Sequence, residues 1–374
     1  MLLKRLRIFH RYLSLSLAAV WILQAVTGIL LVYHWELDDL AVSGPAHPLD
    51  LMRFASSLDR QQKAHPDRTV SAVYASGGRP GRFDVLINQT SGESDALRED
   101  GEGTVLRQRP ANYDNLHIGI YQIATYLHQT LFVHQAGRWV LGLSGGLLLS
   151  NLVLGLGLAW PGKGRWRRAL MPVTAAVPSA RVYAWHRAAG LWLALPVVPL
   201  VCAGVLMALD EPLARWFDDA RPPPSLYAAG QESVCHCATP INAIASAQRL
   251  YPGAQFAALD MPTAQRPWFA VRVKQARETR RTAGTTVVYI SSRSARVLAH
   301  YDALKSPLKT RVWDALYALH TGEIGGEVGR CAAFVGGLWL LSMIALGLTL
   351  WALRRVRGSS RHKVSAWQNH CESR

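Results

Sequence analysis

The chain has 374 residues, half of them apolar, with a formal net charge of +16 and a pI near 10.0. Five scattered cysteines do not make a disulfide framework. A pI this high raises the question of nucleic acid, but the way the charge is distributed argues against such a partner.

A helix crosses a hydrocarbon core of roughly 30 Å with about 20 apolar residues. Four runs free of Asp, Glu, Lys and Arg have that length: Tyr12 to Tyr33, Trp139 to Trp160, Ala188 to Leu209 and Cys331 to Leu353. The first exceeds the apolar core of a signal peptide and is expected to stay as an anchor. The stub before it, the segment between the second and third runs, and the tail hold 16 Lys and Arg against one acid, Glu372. Short basic segments stay in the cytoplasm. Both termini are therefore expected on the cytoplasmic side, with the two long segments facing outward. Basic residues next to spans meet anionic lipid, which accounts for the pI without nucleic acid.

The predicted elements follow in order. Residues 1–34 form a cytoplasmic stub and the first transmembrane helix, and 35–126 a first periplasmic domain. Residues 127–160 form an outer-edge segment and the second span, 161–185 a cytoplasmic loop, and 186–209 the third span. Residues 210–312 form a second periplasmic domain, 313–353 an outer-edge helix and the fourth span, and 354–374 a cytoplasmic tail. Each periplasmic domain reads as an amphipathic helix (about Leu49 to Ala64; about Pro240 to Tyr251) against a small antiparallel sheet. The strands are TVSAVY and RFDVLI in the first domain, and QFAALD, WFAVRV, TTVVYI and ARVLAH in the second. The polar stretches SGESDALREDGEG and KQARETRRTAGT read as exposed turns between strands.

The chain is written twice. FHRYLSLSLAAVWILQAVTG of the first span aligns without a gap on WHRAAGLWLALPVVPLVCAG of the third, matching His10 with His186 and Gly28 with Gly204. LHQTLFVHQAGR before the second span aligns on LHTGEIGGEVGR before the fourth, matching His128 with His320 and Arg138 with Arg330; Gly155 matches Gly347 further on. Two spans per copy give a parallel duplication, so matched residues share a depth. The fold class that results is a membrane α-helical protein of four transmembrane helices with two small α+β domains, built by tandem internal duplication.

Of 13 histidines, six stand near span ends: His10 and His186 inside, His34, His128, His134 and His320 outside. A histidine at a membrane edge also serves as an amphipathic anchor, but an anchor drifts at little cost, whereas a metal ligand does not. Zinc sites use compact ligand sets, and none of these pairs is local. One imidazole from each of two helices suits haem, with the iron held from both faces of the porphyrin. Gly28, five helical turns from His10 on the same face and about 27 Å along it, is read as room for the macrocycle, as is Gly204; close helix packing is the other reading. No Cys-x-x-Cys-His occurs, so two noncovalent b-type haems are expected. The metal ligands are then His10 with His186 and His128 with His320, with His34 and His134 as alternative outer ligands, substrate contacts or exposed polar residues. Arg138 and Arg330 have two readings: partners of haem propionates or anchors of helix ends. Cys235 and Cys237 read as a surface loop whose thiols pair with each other or with nothing, or as part of a Cys-His-Cys metal site lacking a fourth ligand.

The motifs FHRYLSL, WHRAAGL and LHTGEIGGEVGR, with two small outer domains, resemble the PepSY-associated transmembrane family over residues 5 to about 357. Within it the chain is most similar to the FoxB-like inner-membrane reductases of iron uptake. The resemblance implies PepSY-like periplasmic domains, two haems on His10, His128, His186 and His320, and reduction of ferric siderophores in the periplasm. LHQTLFVHQAGR lacks the Thr-Gly of its counterpart, so the local geometry there is expected to differ. No Gly-x-Gly-x-x-Gly, Walker loop or cysteine cluster supplies electrons, so the donor is a separate cytoplasmic reductase or quinol. The alternatives are a quinol-linked haem protein with another periplasmic acceptor, and a non-catalytic membrane module that binds a partner protein.

Overall fold

The computed structural model describes the whole chain except residues 65, 112–118, 173–176, 214–215, 217–237 and 373–374, and except the side chains of residues 64 and 357–372. Cys235 and Cys237 therefore lie outside the described residues.

Four helices are long and apolar enough to cross a membrane: α1 (Leu2–Val32), α5 (His134–Ala159), α7 (Pro178–Ala208) and the segment Glu323–Val356, most of which belongs to α11 (Gly326–Glu372). Each agrees with one predicted run and extends beyond it. α1 packs on α5 and α11, and α7 packs on the same two, so α1 and α7 stand diagonally across the bundle. Short helices join the spans to the rest: α2 (His34–Leu40), α4 (Ile120–Thr130), α6 (Trp166–Leu170), α8 (Asp210–Leu213) and α10 (Leu308–Thr321).

The remaining elements are α3 (Leu51–Ala64), β1 (Arg68–Ala75), β2 (Arg82–Gln89), β3 (Ser94–Asp100) and β4 (Val105–Pro110) in the first half. In the second half they are α9 (Pro240–Leu250), β5 (Gln255–Asp260), β6 (Trp268–Lys274), β7 (Thr286–Ser291) and β8 (Val297–Tyr301). The expectation of a separate small sheet in each half gives way to one eight-stranded antiparallel sheet, ordered β4-β3-β2-β1-β5-β6-β7-β8. Its seam is β1 on β5, with Val73 opposite Leu259 and Tyr74 opposite Ala258. Left apart, β1 and β5 would each expose an unpaired edge, and pairing removes both edges at once. One hydrophobic core then serves both halves: Phe54 and Leu58 of α3 and Ala243, Ile244 and Ala247 of α9 cover Val73, Val85, Leu259, Val271 and Val288 on one face. Strand alternation sends Tyr74 and Arg272 to the other face.

The expected exposed turn over residues 91–103 is the clearest error of the sequence reading. It contains β3, and Arg98, Glu99 and Asp100 there are almost wholly buried. Arg98 Nε bonds Asp84 Oδ1 at 2.7 Å and its Nη2 bonds Asp38 Oδ2 at 3.1 Å, and Asp39 completes the cage. Arg107 and Arg109 of β4 reach Asp38 at 2.6 and 3.3 Å. These charges look soluble in sequence because their counter-charges come from α2, far away in the chain. The network bolts α2, and with it the end of α1, to the sheet.

Glu99 has a different environment. It accepts from Gln61 through Oε1, while Glu99 Oε2 and Gln61 Oε1 are buried without partners. Burial, reinforced by the Asp100 charge, pushes its pKa up to about 7. A proton on Glu99 turns one of its buried carboxylate oxygens into a donor. Because the folded value lies above the ordinary 4.5, the protonated group stabilises the fold fully below pH 4.5, and this contribution is lost as pH rises through about 7. The shift corresponds to about 3 kcal/mol. Glu99→Gln is expected to flatten the fall in thermal stability between pH 5 and 8 and to raise the melting temperature at pH 8; an unchanged pH profile would contradict this burial.

Candidate functional site

α4 lies against α1, and α10 lies against α7. Each carries its histidine near its C-terminal end, so His128 and His320 face each other across the diagonal, ring centroids 6.0 Å apart. At the far end of the bundle, His10 of α1 and His186 of α7 meet in the same way at 6.5 Å. The structure thus brings together both pairs that the sequence matched by depth.

Every one of the four imidazoles rests on a glycine. A Cβ added to Gly28 would stand 3.1 Å from His128 Cε1, and one on Gly204 2.6 Å from His320 Cε1. The corresponding distances are 3.0 Å from Gly155 to His10 and 3.7 Å from Gly347 to His186. Gly28 and Gly204 therefore lie against imidazole rings. Gly155 and Gly347 were visible in the sequence as a matched pair, but nothing there tied them to the histidines at the opposite end of α1 and α7.

The family model of the PepSY-associated transmembrane region matches residues 7–354. The chain belongs to this family. A comparison with curated proteins found no match.

In this PepSY-associated chain, hydrogen bonds fix the tautomers of the sheet-end pair. His320 Nδ1 donates to the Leu200 carbonyl at 2.9 Å, four residues before Gly204. His128 Nδ1 lies 3.0 Å from Thr27 Oγ1, which gives its own hydrogen to the Leu23 carbonyl, so the imidazole is the donor. With Nδ1 carrying the hydrogen, Nε2 of each ring keeps its lone pair. At the far end, Nδ1 of His10 and of His186 is buried without a partner. Beside His10, Asn151 donates to Ser14 Oγ at 2.9 Å while its own Oδ1 is also buried and unpartnered. The second half has Met343 in the position matching Asn151.

The conserved spacing from Leu-His to Gly-Arg in the two matched stretches follows from a tight reversal between helices. The carbonyl of Thr130 fills the place of a Cβ on Gly137, and the carbonyl of Gly322 does so on Gly329. α10 ends on Gly322 at φ 81°, whereas α4 ends on Leu131 at φ 51°, followed by Phe132 at 60°. Glycine adopts this region freely and leucine does not, so the missing Thr-Gly does change the local geometry.

The two arginines tie the halves together. Arg330, 3% exposed, donates to the Val32 carbonyl at the end of α1 at 2.8 Å and pairs with Glu36 at 2.7 Å. Arg138 donates to the Met207 carbonyl of α7 at 3.2 Å and pairs with Asp210. Each anchors the end of a span from the other half, which favours the helix-anchor reading over propionate contact. His34 and His134 stand outside both pairs. His34 Nδ1 bonds the Leu31 carbonyl at 2.5 Å and its ring lies 4.5 Å from Trp35, while His134 is exposed at the start of α5.

Among the described residues no three or more His, Cys, Asp or Glu side chains converge as a metal group. Each pair offers two neighbouring imidazoles, and among the described residues no His, Cys, Asp or Glu joins them as a third ligand. Packing of these rings on glycine leads to a direct test. Gly204→Val is expected to push His320 away from His128 and lower thermal stability by about 1–3 kcal/mol. Gly146→Val, on α5 with nothing within 4 Å of the added Cβ, serves as the control. Equal melting temperatures for the two variants would contradict the packing.

Proposed function

We propose that this membrane protein is a dihaem b-type electron carrier, arisen by tandem duplication, that passes electrons across a bacterial inner membrane to ferric siderophores in the periplasm. The observation that carries the reading is the spacing of the two pairs. A metal bound by an imidazole nitrogen at about 2 Å on either side sets two opposed ring centroids about 6 Å apart, and both pairs have that separation. Two protein donors per site among the described residues suit a group that brings its own remaining ligands, as a porphyrin does.

His10 with His186 would hold one haem and His128 with His320 the other, near opposite ends of α1. When bound, each haem supplies a one-electron iron couple. The chain's own contribution is to orient the imidazoles. Thr27 and the Leu200 carbonyl hold the Nδ1 hydrogens of the sheet-end pair, which leaves Nε2 to the metal and raises ligand basicity. Glycines at 28, 155, 204 and 347 keep the rings back against their helices.

The sheet domain lies at the end of the spans away from the basic stub, loop and tail, which supports a periplasmic position for it and a cytoplasmic one for both termini. The ferric-siderophore acceptor rests on the resemblance to the FoxB-like reductases; the WHR and LHTG motifs mark the family and identify no substrate. Hard oxygen chelators hold Fe(III) far more tightly than Fe(II), so one electron releases the metal without breaking the chelator. The donor is a cytoplasmic reductase or the quinol pool.

The test is haem quantitation by pyridine haemochrome on purified protein. Two haems per chain are expected for the wild type, and about half of that for His10→Ala and for His320→Ala. Full retention in both variants would overturn the assignment.

A further inference from the structure

Between the sheet and the helix ends lies a cavity of about 130 Å³ that neither histidine pair uses. Its walls include Trp35 of α2, Tyr74 of β1, Arg272 of β6, Thr282 of the following loop, Tyr317 of α10 and Glu323. The loop is held to the helix ends by Arg281, whose N–H donates to Glu323 at 2.9 Å and whose guanidinium pairs with Glu36 at 2.9 Å. The cavity is thus closed from one side by the sheet and from the other by α2 and by α10, the helix that carries His320. Tyr317 is one helical turn before His320 on α10, on the same face, and Trp35 follows His34 directly at the end of α1.

Size and chemistry restrict the occupant. A cavity of about 150 Å³ admits a benzene ring, so this one takes a single planar ring or a group of that bulk. Trp35, Tyr74 and Tyr317 offer aromatic surface. Among the described residues no hydrogen bond or ion pair engages the Arg272 guanidinium, although a half-buried charge is normally paired. Tyr74 donates its hydroxyl hydrogen to Asp260 Oδ1 at 3.0 Å, and its oxygen remains an acceptor. Arg280 lies 4.6 Å over the Tyr317 ring and adds to the positive field. A planar group bearing anionic oxygens matches this lining, and a neutral apolar ring leaves Arg272 unanswered.

We propose that this cavity is the acceptor site, and that it takes one planar oxygen-donor arm, hydroxamate or catecholate, of a ferric chelate. The proposal rests on the electron-transfer reading above. Anchoring one arm brings the chelated iron to the side of the sheet-end pair. One electron leaves a ferrous b-type haem, which becomes ferric, and enters the chelated Fe(III), which becomes Fe(II). No covalent bond is made or broken in the transfer, and the weakened chelate then releases its metal.

The experiment uses the full-length, haem-loaded protein, reduced with dithionite, freed of excess reductant and mixed anaerobically with ferric acetohydroxamate or a ferric catecholate while the haem spectrum is followed. Arg272→Gln and Thr282→Trp, the second a loop substitution that fills the cavity, are each expected to slow reoxidation by the chelates at least tenfold. Both are expected to keep wild-type haem content and to react normally with hexaammineruthenium(III), which needs no such site. Unchanged chelate rates in the two variants would overturn the cavity assignment alone. Dependence on the cavity for a quinone analogue but for neither chelate would overturn the choice of ligand. A wild-type protein without haem would instead defeat the reading on which the proposal stands.

Discussion

The arrangement depends on a contact between a flat ring and a missing side chain. Four imidazoles lie on four glycines of the spanning helices; a side chain at Gly28, Gly155 or Gly204 would press on the ring, while Gly347 stands in ordinary contact with His186. The contact is intimate within each half and the pairing runs between halves. His128 rests on α1 and His10 on α5, both in the first half, while their partners His320 and His186 rest on α7 and α11 in the second. A site that needs two ligands on opposite sides of one metal is thereby split evenly between two similar units.

Such a site demands that the halves hold a fixed relation, and the structure supplies the constraint at several levels. Arg330 and Arg138 each cap a span of the other half, so the reversals that follow His128 and His320 are locked to helix ends across the bundle. The β1–β5 seam makes one sheet and one core of strands from both halves. The carboxylates of α2 are clamped by Arg82, Arg98, Arg107 and Arg109, so the end of α1 moves only with the sheet. Breaking one partner of a buried ionic cluster costs about 3–5 kcal/mol, and this gives the junction between sheet and spans its stiffness. The same arrangement leaves Tyr317 of the cavity wall one helical turn from His320 on α10.

Much of this was legible in the chain. Four long apolar runs and the asymmetric placement of basic residues require no tertiary knowledge, and the recurrence of His10, His128, His186 and His320 at constant offsets marked the residues that meet. What the sequence concealed has a physical reason in each case. Residues 94–100 read as a polar turn because Arg98 is neutralised by Asp38, Asp39 and Asp84, from elements that no local window contains. The single sheet was hidden because antiparallel pairing of β1 with β5 joins strands nearly two hundred residues apart. The glycines recur in the sequence, but the rings they touch sit on other helices, His128 on α4 and His320 on α10, so no local spacing joins them. Thr27 and Asn151 went unremarked, since their matched positions in the second half are Ala203 and Met343; the two halves are alike in ligands and unlike in what supports them.

The most direct measurement is the absorption spectrum of the detergent-solubilised protein, produced with ample haem supply and recorded oxidised and then reduced with dithionite. Imidazole pairs closed on iron porphyrins predict an intense Soret band that shifts on reduction, with sharp α and β bands of low-spin, six-coordinate haem. A colourless protein, or a spectrum with an open coordination position on the iron, would contradict the account.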